Sequence, residues 1–372
     1  MSGIRKIPFY GIDRQYASIK EEILHTTDLV YASGDVLDGI YTNMFEKSMQ
    51  VRTGRKYAIT VNSGTQALIF ALRSIERQSS ANKVVIPAQS FIATLNSVLE
   101  AGYDPVFCDV NPVTGLMDFN TIPCEVNEIA AIVYVNLFGN IVDYDRLLAY
   151  KAMWGTHNIP VIEDAAQSFG AKYNNIPSGK LGDISVFSFD PTKNLNNYGS
   201  GGMLLTDDPE IFEFVNDFKN NGKGNDHITT GTNSKMSDAD CAQMMVKLVY
   251  FSRWQERRKI IAEYYTSELS GVVVIPEIDN KVMHAYSKFV IHSTSRGEIV
   301  NGLTSEGVDT KIHYQIPLHL APVAYGSHFT YEVGVLDGAE NFSRTCLSLP
   351  IYPELTDAEV EFVVAAIKRN IY

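Results

Sequence analysis

The sequence predicts an α/β protein with a mostly parallel central sheet that helices cover on both faces. Short apolar runs at residues 57–61, 84–87, 106–110, 130–136 and 160–163 alternate with stretches whose apolar residues recur at helical spacing. Continuous apolar strands separated by helices are typical of parallel sheets buried on both faces. Because ligands of such sheets bind at the carboxyl ends of the strands, we expect the functional residues at those ends.

The composition is that of a globular protein large enough for two domains. Of the 372 residues, 45% are hydrophobic and 20% are charged. The net charge of -12, without any dense run of Lys or Arg, argues against a nucleic-acid partner. The four cysteines lack metal-ligand spacing and are expected to be reduced thiols of a cytoplasmic protein. The sequence contains neither the apolar core of a signal peptide nor a membrane-spanning run, so no membrane partner is expected.

The chain is expected to divide near residue 240. Residues 1–240 form a large domain that holds the sheet, and residues 241–372 contain a linking helix and a smaller α/β domain. The large domain opens with an amphipathic helix. The apolar positions of this helix are Tyr16, Ile19, Ile23 and Leu24. The apolar segments of the smaller domain are 286–292, 308–314 and 345–350, followed by a final helix at 356–370.

The turn between the first strand and the next helix is a candidate phosphate site. Ser63, Gly64 and Thr65 stand at the amino terminus of that helix. Free amide groups there, aligned with the helix dipole, favour a phosphate dianion, and Gly64 allows its close approach. The alternative is simple capping of the helix by a Ser or Thr side chain, which is common.

The strongest chemical pattern lies between residues 161 and 206. One apolar strand ends in Asp164, a second ends in Ser188, and Lys193 follows in the next turn. Pyridoxal phosphate needs an amine that forms a Schiff base with its aldehyde and a carboxylate that keeps its pyridine nitrogen protonated. Lys193 and Asp164 supply these two groups. Taken singly, Lys193 also fits a solvated loop and Asp164 a helix cap.

Two later segments are predicted to be a turn and a loop. Residues 199–202 form a glycine-rich tight turn before a strand at 203–206, which is expected to run back beside the strand at 184–188. No helix of the right type opens there, so the glycines are not a dinucleotide-binding fingerprint. Residues 220–234 are rich in Asn, Gly and Thr and form a loop long enough to have a functional role.

Two motifs resemble the sugar aminotransferases of the DegT type, which are fold type I pyridoxal phosphate enzymes. These motifs are Glu163-Asp-Ala-Ala-Gln167 and Ser188-Phe-Asp-Pro-Thr-Lys-Asn-Leu195. The resemblance extends from about Pro8 to the last helix. It implies a fold type I transferase, a homodimer with shared active sites, and transfer of an amino group from glutamate to a nucleotide-linked keto-sugar.

The resemblance also implies which residues contact the cofactor and the substrate. The cofactor residues are Ser63, Gly64, Thr65, Phe91, Asp164, Gln167, Ser188, Lys193 and Asn233. Among them, Phe91 is expected to stack on the pyridine ring, Gln167 to face the phenolic oxygen, and Asn233 to reach the phosphate of the neighbouring subunit. Without the resemblance, Phe91 is a core residue and Asn233 a turn former. The substrate residues are His313 and Tyr314, although a His in an alternating strand is more often structural.

The spacing after Lys193 favours one class of sugar substrate. Lys193 to Gly202 keeps the long Lys-Asn-Leu-x-x-x-Gly-x-Gly-Gly pattern, and residues 312–319 read Ile-His-Tyr-x-Ile-Pro-x-His. Both resemble relatives that aminate carbon 3 of a dTDP-linked 3-keto-6-deoxyhexose, for surface polysaccharides such as lipopolysaccharide or for glycosides. The alternatives are amination at carbon 4 of a dTDP-, UDP- or GDP-linked 4-keto-6-deoxyhexose and a non-catalytic regulatory protein. A sugar dehydratase of this fold has a histidine in place of Lys193, which argues against dehydration.

Two residues depart from the family pattern. Asp190 stands where relatives have Tyr, His or another uncharged group, and Ser200 replaces an acidic residue between glycines. If the Asp190 carboxylate points inward, it is expected to raise the affinity of Lys193 for its proton. The charge lost at Ser200 would partly offset that effect.

Overall fold

The computed structural model describes residues 6–75, 81–154, 159–225, 227, 230–326 and 335–371. Residues 1–5 of the predicted large domain and part of the predicted loop at 220–234 lie outside these ranges. The strands are β1 (Tyr57–Val61), β2 (Lys83–Pro87), β3 (Asp104–Cys108), β4 (Ile129–Val135), β5 (Val161–Asp164), β6 (Lys172–Tyr173), β7 (Ile176–Pro177), β8 (Ile184–Ser188), β9 (Gly202–Thr206), β10 (Val282–Met283), β11 (Phe289–His292) and β12 (Cys346–Leu349). The helices are α1 (Ile12–Ser33), α2 (Ile40–Thr53), α3 (Gly64–Ser74), α4 (Ile92–Glu100), α5 (Tyr144–Met153), α6 (Pro209–Phe218), α7 (Asp238–Leu269), α8 (Arg296–Ser305), α9 (Pro322–Gly326), α10 (Asp337–Thr345) and α11 (Asp357–Arg369).

The predicted mostly parallel sheet is confirmed. Among the described residues, seven strands pair in the order β1-β9-β8-β5-β4-β2-β3. The pairs from β8 to β3 are parallel, and β9 runs antiparallel to both β1 and β8. The predicted return strand beside residues 184–188 is therefore also confirmed. Because β4, β5 and β8 are parallel neighbours, their carboxyl ends lie at one edge of the sheet.

Helices bury apolar residues against this sheet or against one another. In α3, residues 67–72 are all buried, including Ala67, Leu68, Ala71 and Leu72, which recur at helical spacing. In α1, Ile19 and Ile23 pack with Trp254 of α7 as the helical spacing predicts. Leu24 was predicted on the same apolar face, and this prediction is wrong because Leu24 is 51% exposed. It follows Ile23 in the helix and so points away from the face that contacts α7.

A smaller hydrophobic cluster gathers the carboxyl-terminal elements. β11 and β12 pair antiparallel, and residues of α8, α11 and the end of α7 pack with them. The predicted strand at 308–314 is wrong, since this segment forms only isolated bridges, from Val308 to Ile7 and from Lys311 to Ser348. Each of two different segments pairs with a single residue of 308–314, so no continuous ladder of hydrogen bonds forms. The division near residue 240 stays a prediction, and Ile7 already packs in this second cluster.

No helix within the described ranges has the combined length and apolar character that crossing a membrane requires.

Candidate active site

A cavity of about 390 Å³ lies at the carboxyl edge of the sheet. The ends of β4, β5 and β8 and the start of α3 form its floor. Its lining residues are Tyr10, Ser63, Gly64, Thr65, Leu68, Ser90, Phe91, Ala93, Thr94, Val135, Asp164, Ala166, Gln167, Ser188, Asp190, Thr192, Lys193, Ser200, Lys288, His313 and Tyr314. The structure thus brings together every predicted site residue except Asn233.

The amino terminus of α3 is closely packed against the end of β8. The Ser63 hydroxyl accepts a hydrogen bond from the Gln66 amide at 3.2 Å, so capping does occur. Within the described residues, the amides of Gly64 and Thr65 have no such partner. A Cβ atom on Gly64 would lie 2.7 Å from the Ser188 Cβ, closer than real contacts allow. The position therefore needs glycine, and two free donors remain at a helix terminus that lines the cavity.

Asp164 ends β5 as a buried carboxylate with few partners. It accepts hydrogen bonds from the Ala166 amide at 3.1 Å and, weakly, from the Thr94 hydroxyl at 3.4 Å. Burial raises the pKa of Asp164, while these bonds and the charge of Lys193 oppose that rise. A carboxylate in this state gains from a cationic or N–H partner in the cavity.

Lys193 lies in the turn after β8, on the same cavity wall. Its backbone amide donates to the Asp190 carbonyl at 2.9 Å, which fixes the turn. Across the described residues, its ammonium group makes neither a hydrogen bond nor an ion pair. Burial lowers the pKa of Lys193, and the nearby charges of Asp164 and Asp190 only partly oppose this. The amine is thereby held in a state suited to nucleophilic and base chemistry.

Asp190 lines the cavity, which is the condition under which its carboxylate was expected to act on Lys193. Its carboxylate turns back on its own loop and accepts from the Thr192 amide at 2.9 Å and hydroxyl at 2.6 Å. Its charge raises the affinity of Lys193 for a proton, in the expected direction. Desolvation is the larger effect, so the pKa of Lys193 is still lowered overall.

Gln167 and Tyr314 also line the cavity and form a hydrogen-bonded pair. The Gln167 side chain donates to the Tyr314 hydroxyl at 3.0 Å and accepts from the Phe138 amide at 3.0 Å. Phe91 lies at the rim, with its ring centroid 5.7 Å from that of Tyr314 and 48% of its surface exposed. This exposure does not fit the alternative that Phe91 is a core residue.

His313 is held as a neutral imidazole. Its Nδ1 atom is 2.8 Å from the Ser348 hydroxyl. Burial, followed by the charges of Lys288, Lys311 and Lys193, lowers the pKa of His313 to about 3. Near neutral pH, this ring can therefore orient a ligand or exchange a hydrogen bond, but it does not carry a charge.

Asn233 lies away from the cavity of its own chain. It is exposed and bridges to Asn220 in the loop after α6. Its predicted role concerns a neighbouring subunit and stays a prediction.

Sequence reasoning gave no role to five polar lining residues, which are Tyr10, Ser90, Thr94, Thr192 and Lys288. Tyr10 and Lys288 come from distant parts of the chain, and Thr94 lies in the first turns of α4. Lys288 left a weak signal, since a charged residue directly precedes the apolar strand β11.

Comparison with known proteins identifies close relatives over the whole chain. Residues 17–368 match the model of the DegT/DnrJ/EryC1/StrS aminotransferase family. The chain is 34% identical over 369 residues to a pleiotropic regulatory protein of Geobacillus stearothermophilus, covering 97% of each. It is 32% identical over 378 residues to the dTDP-3-amino-3,4,6-trideoxy-alpha-D-glucose transaminase of Streptomyces venezuelae, covering 98% of this chain and 96% of that protein. The crystal structure of NtdA from Bacillus subtilis with bound cofactor PMP superposes with a TM-score of 0.88 at 28% identity, covering 99% of this chain and 86% of that one.

Proposed function

Because this chain is a sugar aminotransferase of the DegT/DnrJ/EryC1/StrS family, we propose that it transfers an amino group from L-glutamate to carbon 3 of a dTDP-linked 3-keto-6-deoxyhexose. The Streptomyces venezuelae transaminase, which is named for a dTDP-3-amino sugar, supports this choice of carbon and nucleotide. The long spacing from Lys193 to Gly202 supports it independently. The product would enter amino-sugar biosynthesis for surface polysaccharide or glycosides.

The cavity fits pyridoxal phosphate, the cofactor of this family. The observation that carries the proposal is that a buried amine and a buried carboxylate, Lys193 and Asp164, line one cavity and interact electrostatically. Two free amides at the start of α3 and the Ser188 hydroxyl offer donors for the phosphate. When bound, pyridoxal phosphate supplies an electrophilic carbon and a ring that withdraws electrons from the α-carbon of the amino acid.

Proton transfer and positioning are assigned to individual residues of the cavity. Lys193, with its pKa lowered by burial, takes the proton from the α-carbon of the amino donor and later returns one to the sugar carbon that receives nitrogen. Asp164 would keep the pyridine nitrogen of bound cofactor protonated. Gln167 and Tyr314 would donate hydrogen bonds to oxygen atoms of the cofactor or substrate, and Phe91 would cover the ring.

We place the working enzyme in the cytoplasm as a homodimer with shared active sites. Exposed apolar side chains follow one another in the turn before α2 and along that helix. These side chains are Val36, Leu37, Ile40, Met44 and Val51. Such a surface favours burial against a second copy. Asn233 of each subunit would then enter the cavity of the other. The four free cysteines agree with a reducing compartment.

One experiment tests the reaction and its alternatives. The purified protein should absorb in the visible and lose that absorbance when glutamate is added. A panel of nucleotide-linked 3-keto and 4-keto sugars, with the product nitrogen located by NMR, then separates carbon 3 from carbon 4. If the protein binds the cofactor but reacts with no amino acid, the non-catalytic regulatory alternative replaces this proposal.

A further inference from the structure

Lys288 is a buried lysine in the cavity wall without an acidic partner. Only 6% of its surface is exposed. Its Nζ atom donates to two backbone carbonyls, of Thr192 at 3.2 Å and of Ser287 at 3.0 Å. Among the described residues, no carboxylate lies within ion-pair distance of it. One of its three donors therefore remains available to a ligand.

The groups around Lys288 are mostly cationic. Lys193, Arg258 and Lys311 all act on it with positive charge, and Asp190 is the opposing carboxylate. Arg258, from α7, is itself buried and donates to the Ile351 carbonyl at 2.6 Å. The Asp190 carboxylate already accepts two hydrogen bonds from Thr192. Glu354 opposes the charge of Arg258 and Asp164 that of Lys193, but the cations that act on Lys288 itself outnumber the carboxylate, so an anion beside Lys288 is favoured.

We propose that Lys288 binds the α-carboxylate of the amino-acid donor, an inference that rests on the aminotransferase function proposed above. The α-carboxylate is attached to the same carbon whose proton Lys193 removes. Its cation must therefore stand close to Lys193 on the cavity wall. Lys288 satisfies this condition, because it lines the same cavity and its Nζ atom donates to the carbonyl of Thr192, the residue directly before Lys193.

The proposed sugar acceptor differs from the amino acid in the charge that it brings to this part of the cavity. Its hexose ring is uncharged, so the ring does not need a cation next to Lys193 when it replaces the amino acid. A lysine that loses its charge easily suits both occupants. Burial, together with the neighbouring cations, lowers the pKa of Lys288 well below its usual value. An incoming carboxylate raises the pKa of Lys288 again. At pH values between the pKa of Lys288 without the carboxylate and its pKa with the carboxylate bound, binding therefore takes up a proton from solution.

The test compares the two half-reactions of Lys288→Gln holoenzyme. The first is followed by the loss of visible absorbance on adding L-glutamate, and the second by its recovery on adding keto-sugar. Since a hydrogen bond to a charged group is lost, the glutamate concentration for half-saturation should rise about 10- to 100-fold. The half-saturating keto-sugar concentration should stay within about threefold.

Lys247→Gln is the matched control. Lys247 is also fully buried and donates to a backbone carbonyl, that of Asn196 at 2.7 Å, but it does not line the cavity. A general effect of losing a buried lysine should change both half-reactions of this variant alike. Lys288→Arg keeps a cation at the site and should recover part of the affinity for glutamate.

A binding measurement without turnover completes the test. Borohydride reduction fixes the cofactor to Lys193, and calorimetry in buffers of different ionisation enthalpy then counts protons taken up with L-glutamate. Uptake in the parent protein and its loss in Lys288→Gln are expected. Unchanged glutamate saturation, or weakened keto-sugar saturation instead, would overturn the proposal. If the parent itself loses no absorbance with any amino acid, the proposed function fails instead.

Discussion

Two adjacent carboxylates at the end of β5 lie in opposite environments. Glu163 is fully buried on the face away from the cavity, and its carboxylate is surrounded by donors at 2.7–3.1 Å. These donors are Asn136 Nδ2, Ser178 Oγ, Gly179 N, Leu181 N and Ser185 Oγ. Asp164, one residue later, lines the cavity and, among the described residues, accepts only from the Ala166 amide and weakly from the Thr94 hydroxyl.

These environments suit Glu163 to a structural role and Asp164 to the functional role proposed for it. Each oxygen of the Glu163 carboxylate accepts three hydrogen bonds, so this side chain holds strands and loops together and has no acceptor capacity left for a ligand. Asp164 is buried without full compensation, which costs stability but leaves the carboxylate available. Changes on the cavity side should therefore affect chemistry, and changes on the opposite side should affect folding.

The largest effect is expected at Lys193, on the cavity side. Lys193→Ala removes both the amine that joins the cofactor and the base, so turnover should fall by about 10⁴-fold or more. The protein should still bind the cofactor noncovalently, which dialysis and absorbance will show. Turnover at the parental rate would show that this cavity is not the reaction site.

Asp164→Asn should reduce turnover by about 10²- to 10³-fold, because an electrostatic partner of the cofactor ring is lost. The raised pKa of Asp164 means that its charged form is disfavoured by folding, a penalty that grows as pH rises through that pKa. The variant without cofactor should therefore unfold at no lower urea concentration than the parent at pH 7. A clear loss of stability would place Asp164 with Glu163 as a structural group.

Glu163→Gln should behave in the opposite way. The amide presents its own donors to backbone and hydroxyl donors, which should lower the free energy of unfolding by about 3 kcal/mol. Urea denaturation measures this change. Turnover per folded molecule should remain within about threefold of the parent, and a larger loss would mean that both faces of β5 serve the reaction.

The smallest effect concerns protonation of His313. With a pKa of about 3, this ring should show no titration between pH 5 and 8 when its NMR signals are followed. In the unfolded chain it takes up a proton near pH 6.5, so its contribution to stability is lost as pH falls from about 6.5 towards 3. The unfolding free energy of His313→Gln should depend less on pH in that window than the parent's.

Much of the fold was accessible from the sequence because it follows from local patterns. Continuous apolar runs predicted β1 to β5, β8 and β9 but not the two-residue strands β6 and β7, and helical spacing predicted α1, α3 and α7. Predictions went wrong where the neighbours decide the outcome. Residues 308–314 alternate like a strand but find no continuous partner, and Leu24 continues an apolar spacing that no other element covers.

The candidate site was predictable to the extent that its residues lie at strand ends. Asp164, Ser188 and Lys193 belong to one stretch of the chain, and their relation is visible in the order of residues. Tyr10 and Lys288 reach the same cavity from the first and last parts of the chain. No local spacing connects them with the motif, so only the folded chain could reveal them.

By itself, the sequence determined where strands and helices begin, which turns need glycine, and that an amine follows an acidic strand end. These properties depend on steric and hydrophobic preferences of residues close together in the chain. The tertiary structure decided which of the neighbouring acids, Glu163 or Asp164, would face the cavity and how many donors each would meet. Hydrogen bonding, desolvation and charge coupling act through space, and their strength depends on residues that only folding brings together.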